Sequence, residues 1–169
     1  PKLPPLEHNG LTVTGWTAVD RQPGNPVVGF GSVWVPSSAT GWLDRVDPRS
    51  LRVVARIRSA AVSTRAENQY FDSVAVSPEA VWHASDLGNL VVRIDPRLNR
   101  AVARIPVPGR PDAIAATASS AYVGLFNTTR VIRVSATSAR ESSASPPLRT
   151  ASGSSPTAGR LFWSSIRSH

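Results

Sequence analysis

The sequence predicts an all-β fold, a β-propeller of about three to four four-stranded blades forming an incomplete ring. Three observations predict it. Residues 29 to 59, GFGSVWVPSSATGWLDRVDPRSLRVVARIRS, nearly recur as residues 77 to 107, SPEAVWHASDLGNLVVRIDPRLNRAVARIPV, at an offset of 48, and AYVGLFNTTRVIRVSATSAR follows at a further 40. Each copy divides into short runs rich in β-branched and aromatic residues, bounded by Gly, Pro, Asp, Asn or Ser. No segment sustains a helical apolar period. Short strands repeating every 40 to 50 residues are the signature of propeller blades.

The elements follow in order. Residues 1–23 read as a lead-in, and residues 24–136 as the blades. Within a blade, a brief apolar run comes first, SVAVS or DAIAA. A second strand follows a turn such as GFG or SPE, as in SVWVP and AVWHA. The third, LVVRID, alternates apolar and polar residues and stops at Asp-Pro, because Pro lacks the donor that a ladder needs. The fourth, RAVARIPV, alternates again. Equivalent residues recur across copies. Trp34 matches Trp82, Arg45 matches Arg93, and Asp47-Pro48 matches Asp95-Pro96. Tyr122 takes the Trp place in the third copy, Arg133 the Arg place, and Ser135-Ala136 replaces Asp-Pro. Phe162, in GRLFWSS, marks residues 161–169 as the start of a further blade. Residues 137–160 contain Leu148 as the sole large apolar residue and read as a degenerate or disordered Ser/Pro-rich segment. The blades repeat because a small twisted sheet cannot bury both of its faces alone; its neighbours bury them.

Bulk properties exclude several function classes. The 169 residues suit one domain with a sizeable core, and the formal net charge is +8. The basic residues are Arg apart from Lys2, and they recur at equivalent repeat positions. A nucleic-acid footprint would instead gather them on one face beside aromatic platforms, so no nucleic-acid partner is expected. There is no Cys, and no apolar run is long enough to span a membrane. No P-loop, dinucleotide fingerprint, nucleophile elbow or metal-ligand spacing of His and Cys is present, so no metal site and no cofactor are expected.

The wording GFGSVWV…LDRVDPRSLRVVARI and EAVWHA…LVVRIDPRLNRAVARIPVPGRPDAIAAT resembles the bacterial YVTN/YncE-like propeller repeats, and the related repeats of virginiamycin B lyase and NHL type, over about residues 24 to 135. The resemblance implies a ring of more blades than this chain holds, and hence a fragment whose closure needs the rest of a propeller or self-association. It implies an extracytoplasmic location, secreted or periplasmic, and a first strand of each blade that lines the central channel. The loop entering that strand and the loop between strands two and three then share the channel mouth, where binding contacts with a protein or small-molecule ligand are expected.

Candidate residues follow from that frame. The loop RSAAVSTRAENQYF, residues 58 to 71, is eight residues longer than its counterpart at 106 to 111 and carries Arg65, Glu67 and Tyr70 to the mouth. A long surface loop costs little free energy, so a tolerated insertion stands beside the ligand-contact reading. Asp72 and Asp112 precede the channel strands at equivalent positions; capping of nearby backbone N–H groups is favoured over binding a cation or basic ligand. Trp42 and Asp86 fall in the loops between strands two and three as rim contacts. The resemblance also raises a lyase, a Mg²⁺-dependent elimination with a His general base; His83 is its candidate base and Asp86 the nearest acid. The aromatics at the second-strand position read as packing between blades. The expected function is a non-catalytic binding or scaffolding module, with the lyase and a sensor part of a larger bacterial regulator or transporter-linked protein as alternatives.

Overall fold

The computed structural model describes residues 7–8 and 10–135, apart from 61–71 and 87. One compact unit spans Pro1–Ala136. Residues 137–160, 161–169 and Phe162 lie outside the described residues.

Thirteen strands build the described residues. A short hairpin pairs β1 (Glu7–His8) with β2 (Leu11–Thr12) inside the lead-in. The first blade is β3 (Val27–Gly29), β4 (Ser32–Pro36), β5 (Trp42–Asp47) and β6 (Arg52–Arg58). The second is β7 (Ser73–Val76), β8 (Val81–Ser85), β9 (Leu90–Asp95) and β10 (Arg100–Pro106). The third shows β11 (Pro111–Ala116), β12 (Ser120–Leu125) and β13 (Val131–Ser135). Each sheet is an antiparallel meander in chain order, so the molecule is all-β and the sheets are successive blades of an incomplete propeller ring. The strands fall on the runs read from the sequence, with two differences: Trp42 is the first residue of β5 rather than a loop residue, and Asp112 lies within β11 rather than before it.

The turns explain the registers. In GFGS, Phe30 and Gly31 both take positive φ, the conformation that a tight two-residue hairpin demands. After each Asp-Pro, the last turn residue is again left-handed, Leu51 in the first blade and Asn99 in the second. Asn tolerates that conformation better than Leu. Asp47 Oδ1 accepts from the N–H groups of Arg49 and Ser50, and Asp95 Oδ1 from those of Arg97 and Leu98. These bonds, that of Ser50 first at Asp47 and that of Leu98 first at Asp95, hold both carboxyls below their ordinary value of 3.8. A depressed folded value means that the stabilisation is present above the ordinary value and is lost as pH falls through the folded one. Urea midpoints measured against pH should therefore drop as pH descends below 3.8. The double replacement Asp47→Asn with Asp95→Asn keeps an acceptor in each turn and should flatten that part of the profile. An unchanged profile would remove the turns from the acid response.

Sheet faces pack in sequence. Trp34, Leu43 and Ile57 of the first blade bury against Val74, Val81, Val92 and Ile94 of the second. Ala80, Trp82, Val91 and Val107 of the second then bury against Ala121, Val123 and Leu125 of the third. Each junction thus holds one Trp, anchored through its indole N–H: Trp34 Nε1 donates to Gly29 O (2.9 Å), and Trp82 Nε1 to Ser77 Oγ (3.2 Å). An Arg of the third strand covers each ring, Arg45 at 5.0 Å from the Trp34 centroid and Arg93 at 5.9 Å from that of Trp82. Inner strands run side by side: Asn25 bridges to Ser73 in parallel, and Ser73 Oγ donates to Asp112 O. Gly24 permits the first of these contacts, because a Cβ there would lie 2.2 Å from Asp72 O.

Candidate functional site

Antiparallel pairing places the β4–β5 and β8–β9 loops on the same end of the blades as the segments that enter β7 and β11. At that end, a chain of buried polar groups runs across both junctions. His83, on β8, is fully buried. Its Nδ1 lies 2.7 Å from Ser59 Oγ and its Nε2 lies 2.9 Å from Asp72 Oδ2. Ser59 follows the outer strand of the first blade, and its hydroxyl is also 3.0 Å from Gly41 O. Both ring nitrogens of His83 and the Ser59 hydroxyl are thus within hydrogen-bond reach of partners inside the junction, Asp72 on one side and Gly41 O on the other.

Asp72 is buried and tied on every side. Its Oδ1 accepts from Asp86 N (3.0 Å), its N–H donates to Ser38 Oγ (3.0 Å), and its carbonyl accepts from Asn25 N (3.2 Å). The carboxylate therefore accepts from the backbone of the β8–β9 loop. Asp86 is itself buried and takes two bonds from Arg110, at 2.7 Å from both Nε and Nη2. Arg110 in turn stacks on Phe126, 4.7 Å from the ring centroid. Asp86 is thereby an internal anchor between the second and third blades. Asp112, equivalent to Asp72 in sequence, lies inside β11 and is only half-buried.

Repeat positions show how specific this arrangement is. Ser59 corresponds to Val107, and His83 to Val123. Both valines sit in the second junction's apolar cluster. One junction thus uses a Ser–His–Asp network where the next uses two valines. In the first blade, the position of His83 is Val35 and that of Val92 is Asp44. Asp44 is buried, accepts from Asp20 N (2.8 Å), and pairs with Arg56 at 2.7 Å. That bonded carboxylate holds the Arg56 guanidinium above its ordinary value. Asp20 also accepts from Thr40 Oγ1 (2.6 Å), and Ser37 Oγ donates to Arg21 O (2.6 Å), so the lead-in is laced to the β4–β5 loop.

Of the candidates read from the sequence, the structure joins His83, Asp72 and Asp86 in one network. Trp42 stands apart, half-buried, with Arg58 stacked 4.9 Å from its centroid. Arg65, Glu67 and Tyr70 lie outside the described residues. Sequence reasoning missed Ser59, Ser38 and Arg110. The available signal was the break in the repeat, Ser59 against Val107 and His83 against Val123 at neighbouring positions of one junction. Among the described residues, no group of three or more His, Asp or Glu could hold a metal ion, and no helix is long and apolar enough to cross a membrane.

Comparison with solved structures agrees on the fold. Hydrazine synthase from Kuenenia stuttgartiensis aligns with TM-score 0.57 at 17% identity, covering 73% of this chain and 36% of that one. The Cps50 (Swd1) β-propeller domain of Myceliophteria thermophila aligns with TM-score 0.54 at 11% identity, over 77% of this chain and 42% of that one. The dihydro-heme d1 dehydrogenase NirN aligns with TM-score 0.51 at 23% identity, over 67% and 25%. At these identities the likeness concerns the fold alone, and the chain spans less than half the length of each structure. No protein-family model and no curated protein matches the chain.

Proposed function

We propose that this chain is part of a YVTN/YncE-like propeller and acts as a non-catalytic binding module through its channel-mouth loops. One observation carries the reading: Ser59, His83, Asp72 and Asp86, all buried, are joined by hydrogen bonds in series to the half-exposed Arg110, which ties the β8–β9 loop and the residue entering β7 to the blades. Loops held by buried hydrogen bonds present their outward side chains in fixed places, which is what recognition at low ordering cost requires. The network also bears on chemistry. A general base must reach a substrate proton, whereas both ring nitrogens of His83 are engaged inside a junction with no solvent exposure. His83 is therefore given an architectural role, and the lyase reading is not carried forward.

Arg65, Glu67 and Tyr70, on the long loop, are proposed as the contacts. A thermal-shift screen of small molecules and peptides tests this, with the wild type run beside the triple variant Arg65→Ala, Glu67→Ala, Tyr70→Ala. A ligand of the mouth raises the wild-type Tm in proportion to its occupancy and leaves the variant unmoved. Shifts that survive in the triple variant would place binding elsewhere, and turnover of any hit would end the non-catalytic reading.

A further inference from the structure

A cavity of about 240 Å³ lies at the opposite end of the blades, where the β3–β4, β7–β8 and β9–β10 turns meet. Phe30, Pro78 and Pro96 give it apolar walls. Two cations, Arg93 and Arg97, and two carboxylates, Glu79 and Asp95, complete the lining, so its formal charge balances.

The repeat shows what is unusual about Arg93. Its counterpart Arg45 is fully engaged: Nε donates to Ser32 Oγ (2.8 Å), Nη1 to Pro96 O and Asn99 Oδ1 (both 2.9 Å), and Nη2 to Phe30 O (3.3 Å). One repeat on, Ala80 stands at the position of Ser32 and offers no side-chain acceptor. Arg93 accordingly keeps its ring, Trp82, and loses that acceptor. Its Nε is buried with no hydrogen-bond partner, and its nearest carboxylate, Glu79, is 4.0 Å from Nη2. The Nε is out of reach of a ligand, but the side chain is 30% exposed at the cavity wall, so its Nη edge can meet the two oxygens of a carboxylate end-on.

Glu79 and Asp95 decide the rest of the ligand. A dianion would meet two carboxylates in the same lining, whereas a molecule with its own ammonium group would be matched by them. Asp95 offers one oxygen, since Oδ1 already closes the turn, and the Glu79 side chain is largely exposed at the cavity edge. We infer that this cavity binds a small zwitterion of the α-amino-acid class, its carboxylate on Arg93, its ammonium between Glu79 and Asp95, and an apolar side chain against Phe30 and the prolines. This site is independent of the mouth-side reading, and failure of either leaves the other standing.

The test is an amide NMR titration of the full chain with L-leucine, N-acetyl-L-leucine and L-leucinamide. Leucine should shift the amides of Ala80, Arg93 and Arg97 saturably. Each derivative, lacking one charge, should bind at least roughly tenfold more weakly. Arg93→Gln should abolish the leucine response. Glu79→Gln, a change at an exposed side chain that leaves the fold intact, should weaken leucine and leucinamide while leaving N-acetyl-leucine unchanged. Equal affinity for leucine and N-acetyl-leucine would overturn the zwitterion assignment. Absence of a saturable shift, or full leucine affinity in Arg93→Gln, would overturn the site.

Discussion

His83→Val should destabilise the chain by about 3–5 kcal/mol, read as a lowered urea midpoint with an unchanged slope. The substitution leaves the buried Asp72 carboxyl without its partner at Nε2 and the Ser59 hydroxyl without its contact to Nδ1. An uncompensated buried carboxylate costs far more than the hydrogen bond was worth when made. The second junction supplies the control, because Val107 and Val123 already fill the Ser59 and His83 places there. Adding Ser59→Val to His83→Val should therefore cost little more, and the double-mutant cycle should return a coupling of about 0.5–3 kcal/mol. Adding Asp72→Asn to that pair should recover stability, since it removes the stranded charge and retains an acceptor for Asp86 N. Strict additivity of Ser59→Val and His83→Val would show that the two side chains do not act as one unit.

The blades were legible because repetition and strand period speak together. Asp-Pro stops the third strand in both full copies, and the Trp and Arg that stack on each other recur at one fixed offset. The network at the mouth was legible only in part. Asp72 and His83 drew notice as chemistry-bearing residues, yet nothing local shows that a side chain at the end of one blade meets a histidine 24 positions on. That contact depends on how two twisted sheets stack, which residue spacing does not encode. Ser59 and Ser38 were invisible for the same reason, since a Ser at a strand end is ordinary until its partner is known. Trp42 reads as a loop residue in the sequence, whereas the ladder to Arg58 includes it. The stranded Arg93 needed both sources: the sequence shows Ser32 replaced by Ala80, and the structure shows what Ser32 does for Arg45.

The same repeat logic separates two aromatic residues that sequence position makes equivalent. Trp82 is 2% exposed, whereas Tyr122 is 40% exposed. Trp82 lies on the face that the third blade covers, where it packs with Val91, Val107 and Val123. Tyr122 pairs with Ala115 and Arg133 across its own sheet, on a face that includes the 71%-exposed Val131. Trp82→Ala removes a buried indole and opens a cavity between two sheets, so it should cost about 3–5 kcal/mol. Tyr122→Ala removes a side chain that still meets solvent and should cost about 1 kcal/mol or less in the isolated chain. Urea unfolding of both variants, followed by tryptophan fluorescence and by circular dichroism, measures the contrast. Similar losses for the two would mean that the third blade's face is covered in solution as the first and second are, and the covering element would then owe its specificity to Tyr122 as the second junction does to Trp82. A large difference instead establishes that each aromatic of this series acquires its stabilising role only when the next blade closes over it, so that stability in such a ring is built junction by junction rather than blade by blade.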